Sequence, residues 1–242
     1  MLGFPTLRRT IKGILIALAK NWDDHVVHAE EVARSNGFRD LRSRILELAQ
    51  PMAGDIVVDV GSGTGLLSLA IAERVEKVWA VDISQQMGEY IRVKAASAGL
   101  ENVEPALASA VSLPLVDASA DLVVSNYCLH HLADADKTRA ISEIWRVLRP
   151  GGRLVLGDMM FRVGVGDPRN RRVLAQKVLA LVRKGPGGFV RLAKNALRIL
   201  TGRWERPASH EWWAGTLGDA GFVEIEVQLL DHEGGIAVGR RP

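Results

Sequence analysis

The chain is poor in the residues that build cross-linked, membrane-spanning or base-stacking proteins. Its 242 residues include one cysteine, Cys128, which can form neither an internal disulfide nor a structural zinc site alone. No stretch offers the roughly eighteen uninterrupted apolar residues that a membrane-spanning helix needs. Aromatic residues make up only 5%, which disfavours a nucleic-acid surface built on stacking side chains. We therefore expect a globular cytoplasmic protein that has no metal site.

Acidic residues are scarce in two segments of the chain. Residues 1–20 carry four Lys or Arg and no acid, and residues 161–206 carry twelve Lys or Arg against two acids. Because the whole chain has a net charge of +3, the remaining residues carry −11. Both segments also place apolar residues at helical spacing, as at Leu7, Ile11, Ile14, Leu15 and Leu18. The pattern predicts basic amphipathic helices beside an acidic body.

Such helices are open to three interpretations. Their composition suits an anionic membrane surface or a lipophilic acceptor, which would place the protein peripherally at the inner membrane surface. Cap helices over an acidic body would show the same pattern without any partner. Nucleic acid is the third interpretation, and the low aromatic content places it last. Trp204, Trp212 and Trp213 follow this region and could line an apolar acceptor pocket or meet lipid.

From residue 55 onward, short runs of Val and Ile alternate with helical patterns, as in βαβ units. The predicted strands are residues 56–60, 78–81, 103–108, 121–125 and 153–157, followed by a β-like pair at 222–229 and 235–238. We predict a Rossmann-like, doubly wound α/β fold. Its mostly parallel seven-stranded sheet would carry an antiparallel edge hairpin and a helical cap.

The same pattern divides the chain into four parts. They are an N-terminal helical lid (1–50), the Rossmann-like core (51–160), a basic helical cap insertion (161–206) and a C-terminal helix with the edge hairpin (207–242). The last part would complete the core.

A glycine-rich turn follows the first predicted strand. Residues 57–65 read Val-Val-Asp-Val-Gly-Ser-Gly-Thr-Gly, and a helical pattern begins at Leu66. Glycines allow positive φ and close approach of a ligand, and the helix N-terminus offers unpaired N–H groups. A dinucleotide fingerprint would have a third glycine where Leu66 stands, which counts against a nicotinamide-dependent oxidoreductase.

Asp82 ends the next strand, 21 residues after Gly61. A carboxylate there can accept hydrogen bonds from both ribose hydroxyls of an adenosine. The alternative is that Asp82 only caps the helix that begins near Ser84. The glycine loop stands at the expected spacing before Asp82 in the sequence, which favours ribose binding.

An ordered series of motifs extends this pattern. Residues 57–65 and 81–84 are followed by Leu113-Pro114, 121–125, Leu129-His130-His131-Leu132 and 147–152. Over roughly residues 45 to 160 the series resembles the class I S-adenosylmethionine-dependent methyltransferases, especially their small-molecule and lipid branch. The resemblance implies S-adenosylmethionine as cofactor, S-adenosylhomocysteine as product, and in-line methyl transfer to a small or lipophilic acceptor such as a membrane lipid. The alternatives are a nicotinamide-dependent oxidoreductase and a catalytically silent S-adenosylmethionine-binding module.

The resemblance also implies a set of cofactor contacts around the amino-acid end, the ribose and the adenine. The residues are Asp59, Gly61, Ser62, Gly63, Gly65, Asp82, Ile83, Met87, Ser109, Ala110 and Asn126. Asp59 and the glycine backbone would hold the amino-acid end, and Ile83 and Met87 would flank the adenine. The family commonly has an acidic residue at the adenine amino group, whereas this chain has Ser109, which brings no charge.

Two histidines are candidates for a catalytic base, which is needed only when the attacking atom carries a proton. His130 and His131 follow the fourth strand, and an imidazole can accept a proton near neutral pH. The pattern places His131 ahead of His130. The alternative is that both only satisfy backbone groups beneath the loop. Trp22 and Asp23 stand where such enzymes fold an N-terminal segment over the cofactor.

Overall fold

A computed structural model of the protein describes residues 22–33, 36–161, 167–183, 185–200 and 205–242. The strands within these ranges are β1 (Ile56–Val60), β2 (Lys77–Asp82), β3 (Val103–Leu107), β4 (Ala120–Asn126), β5 (Leu148–Met159), β6 (Val223–Leu229) and β7 (Gly234–Arg240). In this part of the chain they form one seven-stranded sheet in the order β3-β2-β1-β4-β5-β7-β6. Only β7 runs antiparallel to its neighbours β5 and β6, while β1 to β5 are parallel. The predicted fold class is confirmed.

Helices cover the sheet and extend beyond it. They are α1 (Val26–Ala33), α2 (Asn36–Ala49), α3 (Ser68–Ala72), α4 (Gln85–Ser97), α5 (Asp134–Val147), α6 (Pro168–Val182), α7 (Pro186–Leu200) and α8 (His210–Asp219). Short 3₁₀ turns occupy Trp22–His25 and Leu129–His131. The predicted helix at 7–20 and Trp204 lie outside the described residues. No helix in the described ranges is long and apolar enough to cross a membrane.

The core lies on both faces of the sheet because side chains alternate along each buried strand. Val58 and Val60 of β1 pack with α5 and α8 in one apolar cluster. Val57 points to the opposite face, where it packs with α2 and α3 in a second cluster. Because both faces of such a strand are buried, nearly all of its residues are apolar in the sequence.

Among the element boundaries that differ from the prediction, two have a clear structural cause. The helix expected from Leu66 begins at Ser68, because the buried Asp59 carboxylate accepts both the Ser68 N–H and hydroxyl and thereby fixes the first turn there. Strand β5 begins at Leu148 instead of 153. Its early residues pair with the C-terminus, since the Gly151 N–H donates to the Arg241 carbonyl and the Arg241 N–H donates to the Gly152 carbonyl.

The predicted cap helices are present as α6 and α7, and Gly185 lies between them. Arg169 in the first turn of α6 ties them to the sheet. Its guanidinium donates to the carbonyls of Met160, Leu230, His232 and Gly234 at 2.7–3.0 Å. Met160 directly follows β5, and the other three carbonyls lie in the β6–β7 turn and at the start of β7, so the cap is fixed above the carboxyl edge of the sheet.

Candidate active site

A cavity of about 630 Å³ opens at the carboxyl ends of β1, β2 and β4. Open α/β sheets bind ligands at this edge, where the strand order reverses between β1 and β4. Its wall includes the glycine loop, the end of β2, residues 108–110 and residues 126–132. Trp22 borders it from the N-terminal side and Arg191 of α7 from the cap. The volume is in the range of small-molecule sites, roughly 300–1,000 Å³.

The glycine loop forms the floor of the cavity. Gly61 has φ +73°, and a Cβ there would overlap the Cys128 side chain, so this position requires glycine. Gly63 has φ +51°, but a Cβ there would meet open space. Gly65 does not line the cavity; its φ is +83° and a Cβ would lie 3.1 Å from Ile91, which indicates a packing role.

Asp59 is buried beneath the loop, with 1% exposure. Its Oδ2 accepts from the Ser68 N–H at 3.0 Å and from the Ser68 hydroxyl at 2.6 Å. Its Oδ1 has no partner among the described residues. Burial raises the pKa of Asp59 to about 7, because the ionised carboxylate loses its hydration. A cation placed at Oδ1 would favour the ionised form.

Asp82 joins the loop to the end of β2. Its Oδ2 accepts from the Gly63 N–H at 2.9 Å, and its Oδ1 accepts from the Ser84 N–H at 2.9 Å. Burial raises the pKa of Asp82 above its ordinary value. The cap of α4 is provided by Ser84, whose hydroxyl accepts from the Met87 N–H at 3.1 Å. Ribose binding by Asp82 remains a prediction with the expected geometry.

The predicted adenine contacts lie together on one wall. Ile83, Met87, Ser109 and Ala110 all line the cavity. Ile83 is 63% exposed at the cavity mouth, whereas Met87 is buried. Ser109 closes a tight turn, since its carbonyl accepts from the Ser112 N–H at 3.0 Å. An adenine between these side chains would meet apolar contacts and one hydroxyl.

The opposite wall carries the histidines. The His130 Nδ1 lies 2.5 Å from Oδ1 of Asp158, and the His130 N–H donates to Asp158 Oδ2 at 3.0 Å. The His131 ring lies 3.9 Å from the His130 ring and 4.7 Å from Trp22, measured between centroids. His130, His131 and Glu205 bring one potential ligand atom each within 4.8 Å of one another. Asp158 was missed in the sequence because no motif marks it within its apolar strand.

Two further polar atoms of the cavity wall are buried without a partner. They are Ser62 Oγ and Asn126 Oδ1, and neither has a hydrogen bond among the described residues. The next residue, Tyr127, has φ +51°, which turns the chain from β4 into the 3₁₀ turn that carries the histidines. Cys128 is half-buried against the loop, and burial raises the pKa of its thiol well above the ordinary value. A buried cysteine whose thiol stays protonated behaves as a small apolar residue.

The N-terminal segment contacts the cofactor wall. Asp23 Oδ1 accepts from the Ser84 hydroxyl at 2.5 Å and from the Gln86 N–H at 3.2 Å. These hydrogen bonds lower the pKa of Asp23. The tryptophans after the cap lie elsewhere, since Trp213 is fully buried in the core and Trp212 packs against it.

Comparison with known proteins identifies the family. A family described as a methyltransferase domain matches residues 57–152. A demethylmenaquinone methyltransferase of Thermus thermophilus is 32% identical over 204 residues, covering 83% of this chain and 89% of that protein. A ubiquinone/menaquinone biosynthesis C-methyltransferase of Hydrogenovibrio crunogenus is 32% identical over 152 residues, covering 61% and 58%. The chain spans 39%, 44% and 54% of three other curated relatives that it matches.

A solved structure of a S-adenosylmethionine-dependent methyltransferase from Aquifex aeolicus shares the fold. Its TM-score is 0.62 at 18% identity, with 90% of this chain and 98% of that chain covered. The family match includes the loop and the strands that build the cavity floor, and the Thermus protein matches over most of its length. The chain therefore belongs to the class I S-adenosylmethionine-dependent methyltransferases, whose cofactor is S-adenosylmethionine.

Proposed function

We propose that the protein transfers a methyl group from S-adenosylmethionine to a small, lipophilic acceptor held in the cavity. The observation that carries this proposal is the set of unpartnered buried atoms in the cavity wall: Asp59 Oδ1, Ser62 Oγ and Asn126 Oδ1. Each buried polar group without a partner costs about 1–3 kcal/mol. A ligand that brings a cation and hydroxyls to this wall would offset that cost.

The residues present fit the cofactor. Asp59 would receive the ammonium group, and the open space over Gly63 would admit the amino-acid end without a clash. Asp82 would accept the ribose hydroxyls, and Met87 with Ile83 would enclose the adenine. The cofactor supplies an electrophilic methyl group on a sulfonium. The protein's contribution is to hold the acceptor in line with that methyl group and to exclude water.

The acceptor side of the cavity is framed by Trp22 and Arg191, which come from the N-terminal segment and the cap. We propose that these segments, divided from the core as 1–50 and 161–206, enclose the acceptor. Two relatives bear names that refer to quinone biosynthesis, which supports a lipophilic acceptor. Demethylmenaquinone, reduced to the hydroquinone so that it offers hydroxyl groups as well as an unsubstituted ring carbon, is therefore a suitable first probe.

The test combines binding and transfer. Calorimetry with S-adenosylhomocysteine should show binding by the wild type and by Asp219→Ala, an exposed carboxylate on the last helix, and at least tenfold weaker binding by Asp82→Ala. Equal binding by all three proteins would remove the ribose assignment. Methyl-tritiated S-adenosylmethionine should then label demethylmenaquinone, or a component of a total lipid extract, in the organic phase.

Two outcomes would favour the rival functions. Binding of S-adenosylhomocysteine with no labelled product from either acceptor source would indicate a silent binding module. Enhanced NADH fluorescence on addition of the protein, without S-adenosylhomocysteine binding, would indicate a nicotinamide-dependent enzyme.

A second proposal is that the cap also contacts anionic membranes. Leu174, Val178, Leu179 and Val182 form an apolar row on α6 with 37–49% exposure. Basic residues surround this row. The acidic residue Asp167, which precedes α6, is the N-cap of that helix. Apolar side chains beside Lys and Arg are suited to an anionic lipid surface.

Sedimentation with vesicles tests this surface. Phosphatidylglycerol vesicles should pull down the protein at low salt and release it at high salt, because the attraction is screened. Leu174→Asp with Val178→Asp should abolish sedimentation, whereas Asp219→Ala should not. Equal sedimentation with phosphatidylcholine vesicles would contradict the proposal.

A further inference from the structure

Asp158 is a fully buried carboxylate at the carboxyl end of β5, and the cofactor contacts leave it without a role. Three nitrogen atoms lie within hydrogen-bonding distance of it: Nδ1 of the His130 ring and the backbone N–H groups of His130 and Met159, which donate to it, at 2.5–3.0 Å. Two of the three belong to one residue. The carboxylate therefore fixes both the backbone and the ring of His130.

This geometry determines which nitrogen of His130 can take part in chemistry. A neutral imidazole carries one proton, and a carboxylate at Nδ1 holds that proton on Nδ1. Nε2 is then the proton acceptor, on the opposite side of a ring that lines the cavity. The same carboxylate stabilises the imidazolium that forms when Nε2 takes a proton.

Resting on the proposed methyltransferase function, we propose that His130 is the general base, that Asp158 is its positioning residue, and that the acceptor atom is a hydroxyl oxygen. The hydroxyl proton passes to His130 Nε2 while the oxygen forms a bond to the methyl carbon. The carbon–sulfur bond breaks, and its electron pair remains on sulfur as a neutral thioether. The products are a methyl ether, S-adenosylhomocysteine and a proton, which His130 returns to solvent.

Charged and titratable groups face His130 from several elements. The His131 ring is its nearest aromatic neighbour, and the Tyr127 ring lies edge-on with centroids 6.0 Å apart. Glu205, in the segment before α8, brings a carboxylate oxygen within 4.8 Å of the histidine nitrogens. Glu233 from the β6–β7 turn and Arg191 from α7 line the same cavity. Because these groups share the site, the pH dependence of kcat must be assigned to one residue by comparing variants.

His131 is the rival base, and its ring has Trp22 and His130 as aromatic neighbours. The assignment to His130 rests on the contact of its ring with the buried Asp158 carboxylate. A divalent cation held by His130, His131 and Glu205 would be a different use of the same groups, and it would occupy the nitrogen that a base requires.

The first test does not depend on turnover. Long-range ¹H–¹⁵N spectra of ¹⁵N-histidine-labelled full-length protein with S-adenosylhomocysteine report the tautomer of each ring, and His130→Gln identifies the His130 signals. We expect the proton on Nδ1 in the wild type and a shift toward the Nε2–H tautomer in Asp158→Asn. A wild-type His130 with its proton on Nε2 would overturn the assignment.

The second test identifies the methylated atom in the labelled product. Hydriodic acid releases iodomethane from a methyl ether and leaves a methyl group on ring carbon in place. Volatile label supports a hydroxyl acceptor. Label that stays on carbon or nitrogen overturns this inference but leaves the methyltransferase function standing, whereas absence of any transfer would remove both.

Kinetics assigns the roles. General-base catalysis contributes about 10²–10⁴-fold, so His130→Gln and Asp158→Asn should lower kcat by that order while the affinity for S-adenosylhomocysteine changes less than about threefold. A general base must be unprotonated to act, so we expect the kcat of the wild type to rise with pH and both variants to lose that rise. A loss of that pH-dependent rise in His131→Gln but not in His130→Gln would make His131 the base. Loss of activity in a chelator, with recovery on adding Mn²⁺, would replace the base by a metal site.

Discussion

Asp59 makes cofactor binding depend on pH in a direction that the structure determines. In the free protein the pKa of Asp59 is raised to about 7 by burial, so the carboxyl group is largely protonated below that pH. An ammonium group at the unpartnered Oδ1 requires the ionised form. Binding of S-adenosylhomocysteine, which retains the ammonium, must therefore expel a proton at low pH. The affinity should rise with pH and level off above about pH 7.

The expected magnitude follows from that pKa. At pH 6 the Asp59 carboxyl group is protonated in about nine-tenths of the free protein, and at pH 8 in about one-tenth. The number of protons released when the ligand binds should fall in the same proportion. Between pH 5.5 and 6.5 the affinity should rise by about eightfold. Asp59→Asn keeps an oxygen that can accept from Ser68, but it cannot ionise. The affinity of this variant should therefore depend less on pH. At pH 8 it should be about 10–100-fold weaker than that of the wild type, as expected for the loss of a charged hydrogen bond.

Stability offers a second readout without ligand. The unfolded Asp59 ionises near 3.8 and the folded one near 7, so the folded state holds the extra proton between these values. Stability therefore falls as pH rises through this window, by up to about 1.4 kcal/mol per pH unit from this group. Asp59→Asn should become more stable than the wild type near pH 8, and the two should converge near pH 4.

Titration calorimetry in buffers of different ionisation enthalpy measures the proton release, and urea denaturation at each pH measures stability. Other titrating groups of the cavity act in both proteins, so the difference between wild type and Asp59→Asn isolates this carboxyl. A wild-type affinity that stays constant from pH 5.5 to 7 would refute the reasoning. An equal slope in Asp59→Asn would do the same.

Three further changes have defined outcomes. Gly61→Ala should lower the free energy of unfolding by about 1–3 kcal/mol more than Gly63→Ala in thermal melts, because both glycines have positive φ but only Gly61 lacks room for a Cβ. Arg169→Ala should destabilise the cap by about 1–3 kcal/mol in urea denaturation, since it removes the guanidinium donor from four carbonyls, whereas the exposed Arg171→Ala should change stability by less than about 0.5 kcal/mol. Asp23→Ala should speed dissociation of S-adenosylhomocysteine in stopped flow several-fold, because it breaks the contact with Ser84 at the cofactor wall; an unchanged rate would exclude a lid role.

The sheet could be predicted because the sequence signals for its strands lie within each strand and the turn that follows it. Each parallel strand is a short apolar run that ends in a turn signal, and β1 was located at its observed bounds, Ile56–Val60. The early start of β5 could not be predicted, since Pro150 and two glycines normally interrupt a strand. Their strand geometry comes from pairing with Arg241 at the far end of the chain, which no local pattern records.

The candidate site divides in the same way. The loop and Asp82 were found through spacing, and the structure brings them within hydrogen-bonding distance. Asp158 was not found, because its partner His130 lies 28 residues earlier, in the turn after β4, and the pairing of β4 with β5 brings the two together. Glu143 and Arg146 stand three residues apart on α5, a spacing that favours an ion pair on the helix surface. They do pair, and they also bind the backbone of Leu113.

Several departures from ordinary folding rules lie around the cavity. Asp59 and Asp158 are buried carboxylates, Tyr127 takes a left-handed conformation outside glycine, and Asn126 ends in an unpartnered oxygen. Each lowers the stability of the free protein, and each lies at the carboxyl end of β1, β4 or β5. Asp158 differs from the others in that its donors are supplied by the protein, so its burial is compensated before any ligand binds. The uncompensated groups lie on the cofactor side and the compensated pair on the acceptor side. Cofactor binding should therefore account for most of the ligand-induced stabilisation, while the acceptor meets a wall already organised for proton transfer.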